Sequence, residues 1–172
     1  MKSKKLPIMV FTICTLIFIM SVLLLSDQLP AKVATHFDSA GQANDWMTKD
    51  GHVAFILLFG IGISAFLTGS CYLIRYFPSS MLNVPNRGYW RSKEHYPEAC
   101  DFIFRHSFWM ASMIIALLSS INYMIVQANR LTPPSLDVKG SLAVIVLFFT
   151  GVLAWVAFLI FHFYRKRENK AR

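Results

Sequence analysis

The sequence predicts an all-α membrane protein: four transmembrane helices, with a small extended hairpin-like cap in the first outer loop. Three observations carry this. Leu6–Ser26, Gly51–Ile74, His106–Asn129 and Gly140–Tyr164 contain no Asp, Glu, Lys or Arg. At about 1.5 Å of rise per residue, each is long enough to cross roughly 30 Å of hydrocarbon. The chain is 55% hydrophobic, and these segments are apolar on every face, whereas a soluble helix would show one stripe. In lipid every backbone N–H and C=O needs an internal partner, so helices are the expected solution.

Charge distribution gives the expected orientation. The 172 residues carry a net charge of +8. Thirteen of the seventeen Lys and Arg fall in the amino terminus, the loop between the second and third helices, and the tail. Four fall in the other two loops: Lys32, Lys49, Arg130 and Lys139. Excess Lys and Arg in short loops keeps them cytoplasmic. Both termini and the 76–96 loop are therefore expected in the cytoplasm, and the 27–50 loop outside. The basic tail, 165–172, reads as a topology signal and a contact for anionic lipid. No nucleic-acid motif accompanies the charge, so nucleic acid is not an expected partner.

The elements follow in order. Helices are expected at about 6–26, 51–75, 97–128 and 138–164, forming one membrane domain. The first is read as a retained helix because its apolar run is long and no small-residue cleavage site follows. Pro7 suits its first turn, and Leu29-Pro30 ends it. Gly60, Ser64 and Thr68 on the second helix, and Ser112, Ala116 and Ser120 on the third, repeat every four residues. Such small faces allow close approach, so the two helices are expected to pack through them. Pro97 with Glu98 and Asp101 starts the third helix, and Ser135 or Asp137 caps the fourth. Trp90, Tyr96 and Trp109 suit the lipid–water boundary, and His162 and Tyr164 read as snorkelling ends. Asn122 is expected to bond between helices. Cys14, Cys71 and Cys100 suggest neither a disulfide frame nor a thiolate metal site. No charged residue lies deep in a helix, which weighs against ion-coupled transport.

The first loop is the most specific stretch. Val33, Thr35 and Phe37 alternate with Ala34, His36 and Asp38, the period of a strand. Asp38 to Gly41 reads as a turn, with Asp first and Gly supplying positive φ. The return through Asn44, Asp45 and Trp46 makes a hairpin. His36 and Asp38 would share a face, with Asp45 near. Imidazole plus two carboxylates is a weak candidate for a metal site or for acid–base catalysis. No established ligand spacing is present, and the simpler reading is that His36 and Asp38 fix the turn. No cofactor and no catalytic residue is assigned.

The pattern formed by Leu29, Pro30, Val33, His36, Phe37, Gly41, Asp45, Trp46 and Lys49 resembles the signature of domain of unknown function 1648. That module occurs in the amino-terminal part of SdpI-like immunity membrane proteins. A second family-like string is NVPNRGYW, Asn83 to Trp90, and the resemblance spans about Leu6 to Trp90. Family members often have proline shortly before the histidine, where this chain has Ala34-Thr35; Asp38 stands where an asparagine-like residue is common. The longer relatives have further membrane helices.

The resemblance implies a bacterial cell-membrane protein whose outer loop binds or senses something. Its ligand-binding candidates are His36, Phe37, Asp38, Gly41, Asp45, Trp46 and Lys49. The inner-loop motif contributes Asn83, Pro85, Asn86, Arg87, Tyr89 and Trp90. Asn86 and Gly88 can take positive φ, Tyr89 and Trp90 would anchor at the interface, and Arg87 and Arg91 could hold lipid phosphates or a partner's acidic segment. Expected partners are the bilayer and a secreted peptide or another membrane protein. The alternatives are a membrane-embedded metal-dependent enzyme using His36, Asp38 and Asp45, and an accessory subunit of a larger membrane complex.

Overall fold

The computed structural model describes residues 5–165. The expectations for Lys2, Lys4 and the tail from Lys166 onward lie outside them. Among the described residues, four helices are long and apolar enough to cross a membrane: α1 (Leu6–Ser26), α2 (Lys49–Leu73), α4 (Tyr96–Asn129) and α5 (Val138–Arg165). Between α1 and α2 the chain forms a two-stranded antiparallel hairpin, β1 (Lys32–Phe37) and β2 (Ala43–Thr48). A one-turn helix, α3 (Arg87–Trp90), sits in the loop before α4.

Local chemistry sets the boundaries. Pro7 lies in the first turn of α1, and Pro97 in that of α4, where a missing N–H costs no intrahelical bond. Thr48 caps α2, its Oγ1 accepting the Gly51 N–H at 3.1 Å. Asp137 caps α5 by accepting from Gly140 N–H at 3.0 Å, as the capping preference requires.

The longest helix, α4, is the hub. It packs against α1, α2 and α5, whereas α5 makes its main contacts with α4 alone. Phe18 and Val22 of α1, Ile56 of α2, and Ile115 and Leu118 of α4 form the middle layer. Large side chains such as Leu58, Phe66, Leu147 and Leu153 are bare. On spans of this length that is the surface a bilayer covers.

Apolar surface supplies little force between helices in lipid, so close approach decides packing. The buried stripe of α2 is His52, Ile56, Gly60, Ser64 and Thr68, at steps of four. A Cβ added at Gly60 would lie 2.9 Å from the Phe18 ring and 3.3 Å from Leu118. The small face of α2 therefore admits both α1 and α4. The expected partner stripe on α4 is corrected. Ser112 is buried, but Ala116 is exposed, and both Ala116 and Ser120 line a groove toward α5 with Gly151. Bulky Leu118 lies beside Gly60 instead, and Ile115 joins it in the same core layer.

The end of the bundle away from the hairpin closes around the second motif. Asn86 takes the left-handed conformation, φ 54°. Its Nδ2 donates to the Phe163 and Tyr164 carbonyls at 3.1 and 3.0 Å. Trp90 Nε1 donates to the Phe163 carbonyl at 3.0 Å. These are carbonyls near the end of the described part of α5. Trp90 is fully buried among Leu82, Phe102 and Phe163, so it is a core residue and not an interface anchor. Gly88 is helical and needs no positive φ. Arg91 donates from Nε to the Leu82 carbonyl at 2.8 Å, and Arg87 is exposed. Pro85 and Tyr89 are half-buried and Asn83 exposed, and Tyr89 stacks on His95. Tyr96 donates its hydroxyl to the Ile74 and Phe77 carbonyls, tying α4 to the end of α2. His162 is corrected too: its ring lies flat on Phe102, centroids 3.5 Å apart, with Nε2 buried and unpaired among the described residues.

Candidate functional site

The hairpin end holds the first-loop candidates. Its turn is built by Asp38, whose Oδ1 accepts the Ala40 and Gln42 amides at 2.9 and 2.8 Å. Gly41 follows at φ 80°, a region an L side chain enters only under strain. Gly41 also touches the α4–α5 connection: its carbonyl accepts Leu136 N–H at 2.9 Å, and Gln42 bridges Ser135. A Cβ there would lie 2.5 Å from the Leu136 carbonyl oxygen.

A second clamp holds β1. Asn129, near the end of α4, accepts Ala34 N–H with Oδ1 at 2.8 Å and donates from Nδ2 to the Ala34 carbonyl at 2.9 Å. The amide thus treats Ala34 as a neighbouring strand would. Ala34 and Val33 are both fully buried, Val33 against Leu29, Ile125 and Val126. Arg130 adds a contact to Gln28. Deeper in, His52 Nε2–H donates to Asn122 Oδ1 at 3.0 Å, both side chains buried. The helix-linking bond expected of Asn122 is therefore made to α2.

The register is irregular on both sides of His36, so the simple alternation expected of β1 fails. His36 does pair across the ladder with Asp45. The three weak metal candidates are nevertheless not assembled into a donor set. Asp38 turns its Oδ1 to the turn amides, and Asp45 Oδ1 accepts Trp46 N–H at 2.8 Å. Among the described residues no group of three or more His, Cys, Asp or Glu is placed to hold a metal ion. Asp45 instead occupies a main-chain donor on the free edge of β2, a way of blunting an exposed strand. Trp46 is 41% exposed, with the Lys32 ammonium 5.4 Å from its ring centre. Lys49 opens α2, and its N–H donates to the Ala31 carbonyl.

Beside β1 lies a cleft of about 240 Å³. Its walls are Phe37, Ile121, Ile125, Val144 and Ile145, and Thr35 and His36 stand on the hairpin side. Among the described residues, the Thr35 hydroxyl and His36 imidazole have no hydrogen-bond partner. The cleft is small beside the roughly 300–1,000 Å³ of a drug-sized site. It has room for part of a ligand: one chain or one side chain.

Sequence reasoning missed three parts of this site. His52 was not named as the partner of Asn122, Asn129 was not singled out, and Thr35 was read only as a strand residue. A polar amide near a helix end is the available signal for Asn129, but its partner lies 95 residues away.

The fold defines a multi-pass type of membrane protein with a structured hairpin joining its first two spans. Residues 12–62 match the family model described as Domain of unknown function (DUF1648), the family that the first-loop residues resemble. The match takes in most of α1, the whole hairpin and the first half of α2; Asn83–Trp90 falls beyond it. No curated protein and no solved structure matches the chain.

Proposed function

We propose that this is a binding or sensing protein of a bacterial cell membrane, of the SdpI-like immunity type, with its hairpin outside and both termini in the cytoplasm. The observation that carries the reading is how the hairpin is held. It is clamped to α4 by Asn129 and to the α4–α5 connection by Gly41. Among the described residues, it still leaves the side chains of Trp46, Lys32, Thr35 and His36 free of hydrogen bonds to the helices. A rigid support under uncommitted polar and aromatic groups is how binding surfaces are commonly built. The charge asymmetry supports the orientation, and a secreted peptide or envelope component is the partner class that could reach such a surface.

Two measurements test it. Ser39→Cys, with Cys14, Cys71 and Cys100 replaced, should react with a membrane-impermeant maleimide in intact cells. Reaction only after lysis would reverse the orientation. Cells expressing the protein should survive spent medium from a toxin-secreting culture better than cells expressing His36→Ala/Trp46→Ala at equal membrane level. Equal survival would remove the binding role of the hairpin.

A further inference from the structure

We propose that the cleft between β1, α4 and α5 is a lipid site. It would take one acyl chain of a bilayer lipid entering sideways, with the headgroup at Thr35 and His36. The inference rests on the hairpin end being the binding end, as proposed above, and names what that end holds.

Three observations favour this occupant. Ile121, Ile125, Val144 and Ile145 belong to helices long and apolar enough to span a membrane, and Ile145 is 47% exposed. The cleft is therefore continuous with the surface that lipid already covers, and an entrant arrives from the bilayer. Its volume, about 240 Å³, suits a chain segment. The two polar groups beside it are uncommitted: the hydroxyl can donate and accept, and a neutral imidazole can do both. An apolar slot bordered by a half-buried hydroxyl and an exposed imidazole matches an amphiphile, whose chain and headgroup need those two surroundings side by side. A purely apolar occupant would leave those groups unused.

The test uses the full chain in nanodiscs of phosphatidylethanolamine and phosphatidylglycerol. The probe is a trace of lysophosphatidylglycerol carrying a diazirine near its methyl end. Illumination should label Ile121, Ile125, Val144 or Ile145 above the general lipid-facing surface at Leu153. Excess unlabelled lysophosphatidylglycerol should suppress that labelling by about fivefold or more while leaving Leu153 unchanged. Val144→Trp, which fills the cleft, should remove the competable signal, and Leu153→Trp should not. Ile145→Trp serves as a second filler, and the unchanged Leu153 labelling reports that each variant is folded. Thr35→Val/His36→Ala should weaken competition and leave the slot open. Uniform labelling that competitor does not displace would mean annular lipid only and would overturn the proposal. So would labelling displaced by a palmitoylated peptide but not by lipid. If cleft labelling fails while His36→Ala/Trp46→Ala still abolishes protection, the lipid inference falls and the sensing reading stands. Specific labelling with unaffected protection would have the reverse meaning.

Discussion

The two ends of the bundle are finished in opposite ways. Far from the hairpin, Trp90 and Asn86 close over the last turn of α5, spending their polar hydrogens on its carbonyls. Trp90 is 0% exposed there. At the hairpin end the structural bonds run from Asn129 and Gly41, while Trp46, Thr35 and His36 are left over. Both ends carry a family-like string with a tryptophan. One tryptophan is core and the other is surface. The contrast separates residues kept for closure from residues available for binding.

Trp90→Ala should have the largest effect. It empties a fully buried indole site among Leu82, Phe102 and Phe163 and frees the Phe163 carbonyl of one donor. Removal of a buried aromatic costs about 3–5 kcal/mol. Denaturant unfolding in mild detergent should show that loss, with hairpin amide exchange unchanged at low denaturant. A small effect would mean that the far end is not closed by this residue, and the contrast would fail.

Gly41→Ala is next, at about 2–3 kcal/mol. The methyl would need positive φ and would meet the Leu136 carbonyl oxygen at 2.5 Å. The strain should be local, detaching the turn from the α4–α5 connection. Faster exchange at Gln42 and Leu136 with protected α1 and α2 would show it. Asn129→Ala should cost about 2 kcal/mol, because Ala34 N–H and C=O stay buried and lose their partners. Asn129→Asp keeps the acceptor for Ala34 N–H and loses the donor, so it should fall between. If Asp equals Ala, the two-bond clamp is not what holds β1.

Sequence legibility follows the same division. The four spans and the turn at Asp38–Gly41 were readable because length, hydropathy and turn chemistry are local properties. The start of α4 at Pro97 was readable for the same reason, and the cap of α5 was readable as either Ser135 or Asp137, of which the structure uses Asp137. Trp90 was misread because interface tryptophan and buried tryptophan have the same sequence signature. Its acceptor is 73 residues away. His162 was misread likewise: position near a helix end suggested snorkelling, while stacking on Phe102 depends on how α4 and α5 meet. The small-residue stripe on α2 was visible, but its partners were not. A four-residue repeat says that something comes close without saying which face of α4 supplies it. In β1, irregular register at His36 erased the alternation on which the shared face with Asp38 depended.

Trp46→Ala is the smallest expected change in stability and the sharpest test of the contrast. The ring is part-exposed, and its side-chain partner among the described residues is the Lys32 ammonium at 5.4 Å. An exposed cation–π contact contributes about 0.5–1 kcal/mol, so the unfolding midpoint should hardly move. Trp46→Phe should retain most of that contact, since any aromatic face attracts the ammonium. If Trp46 belongs to a binding surface, Ala should still lower hairpin-dependent protection strongly, because exposed aromatic groups carry a large share of recognition energy. Stability and function would then separate at Trp46 and remain joined at Trp90, whose loss acts on both through unfolding. A Trp46→Ala protein that is destabilised as much as Trp90→Ala would place this residue in the fold's framework and erase the distinction between the two ends.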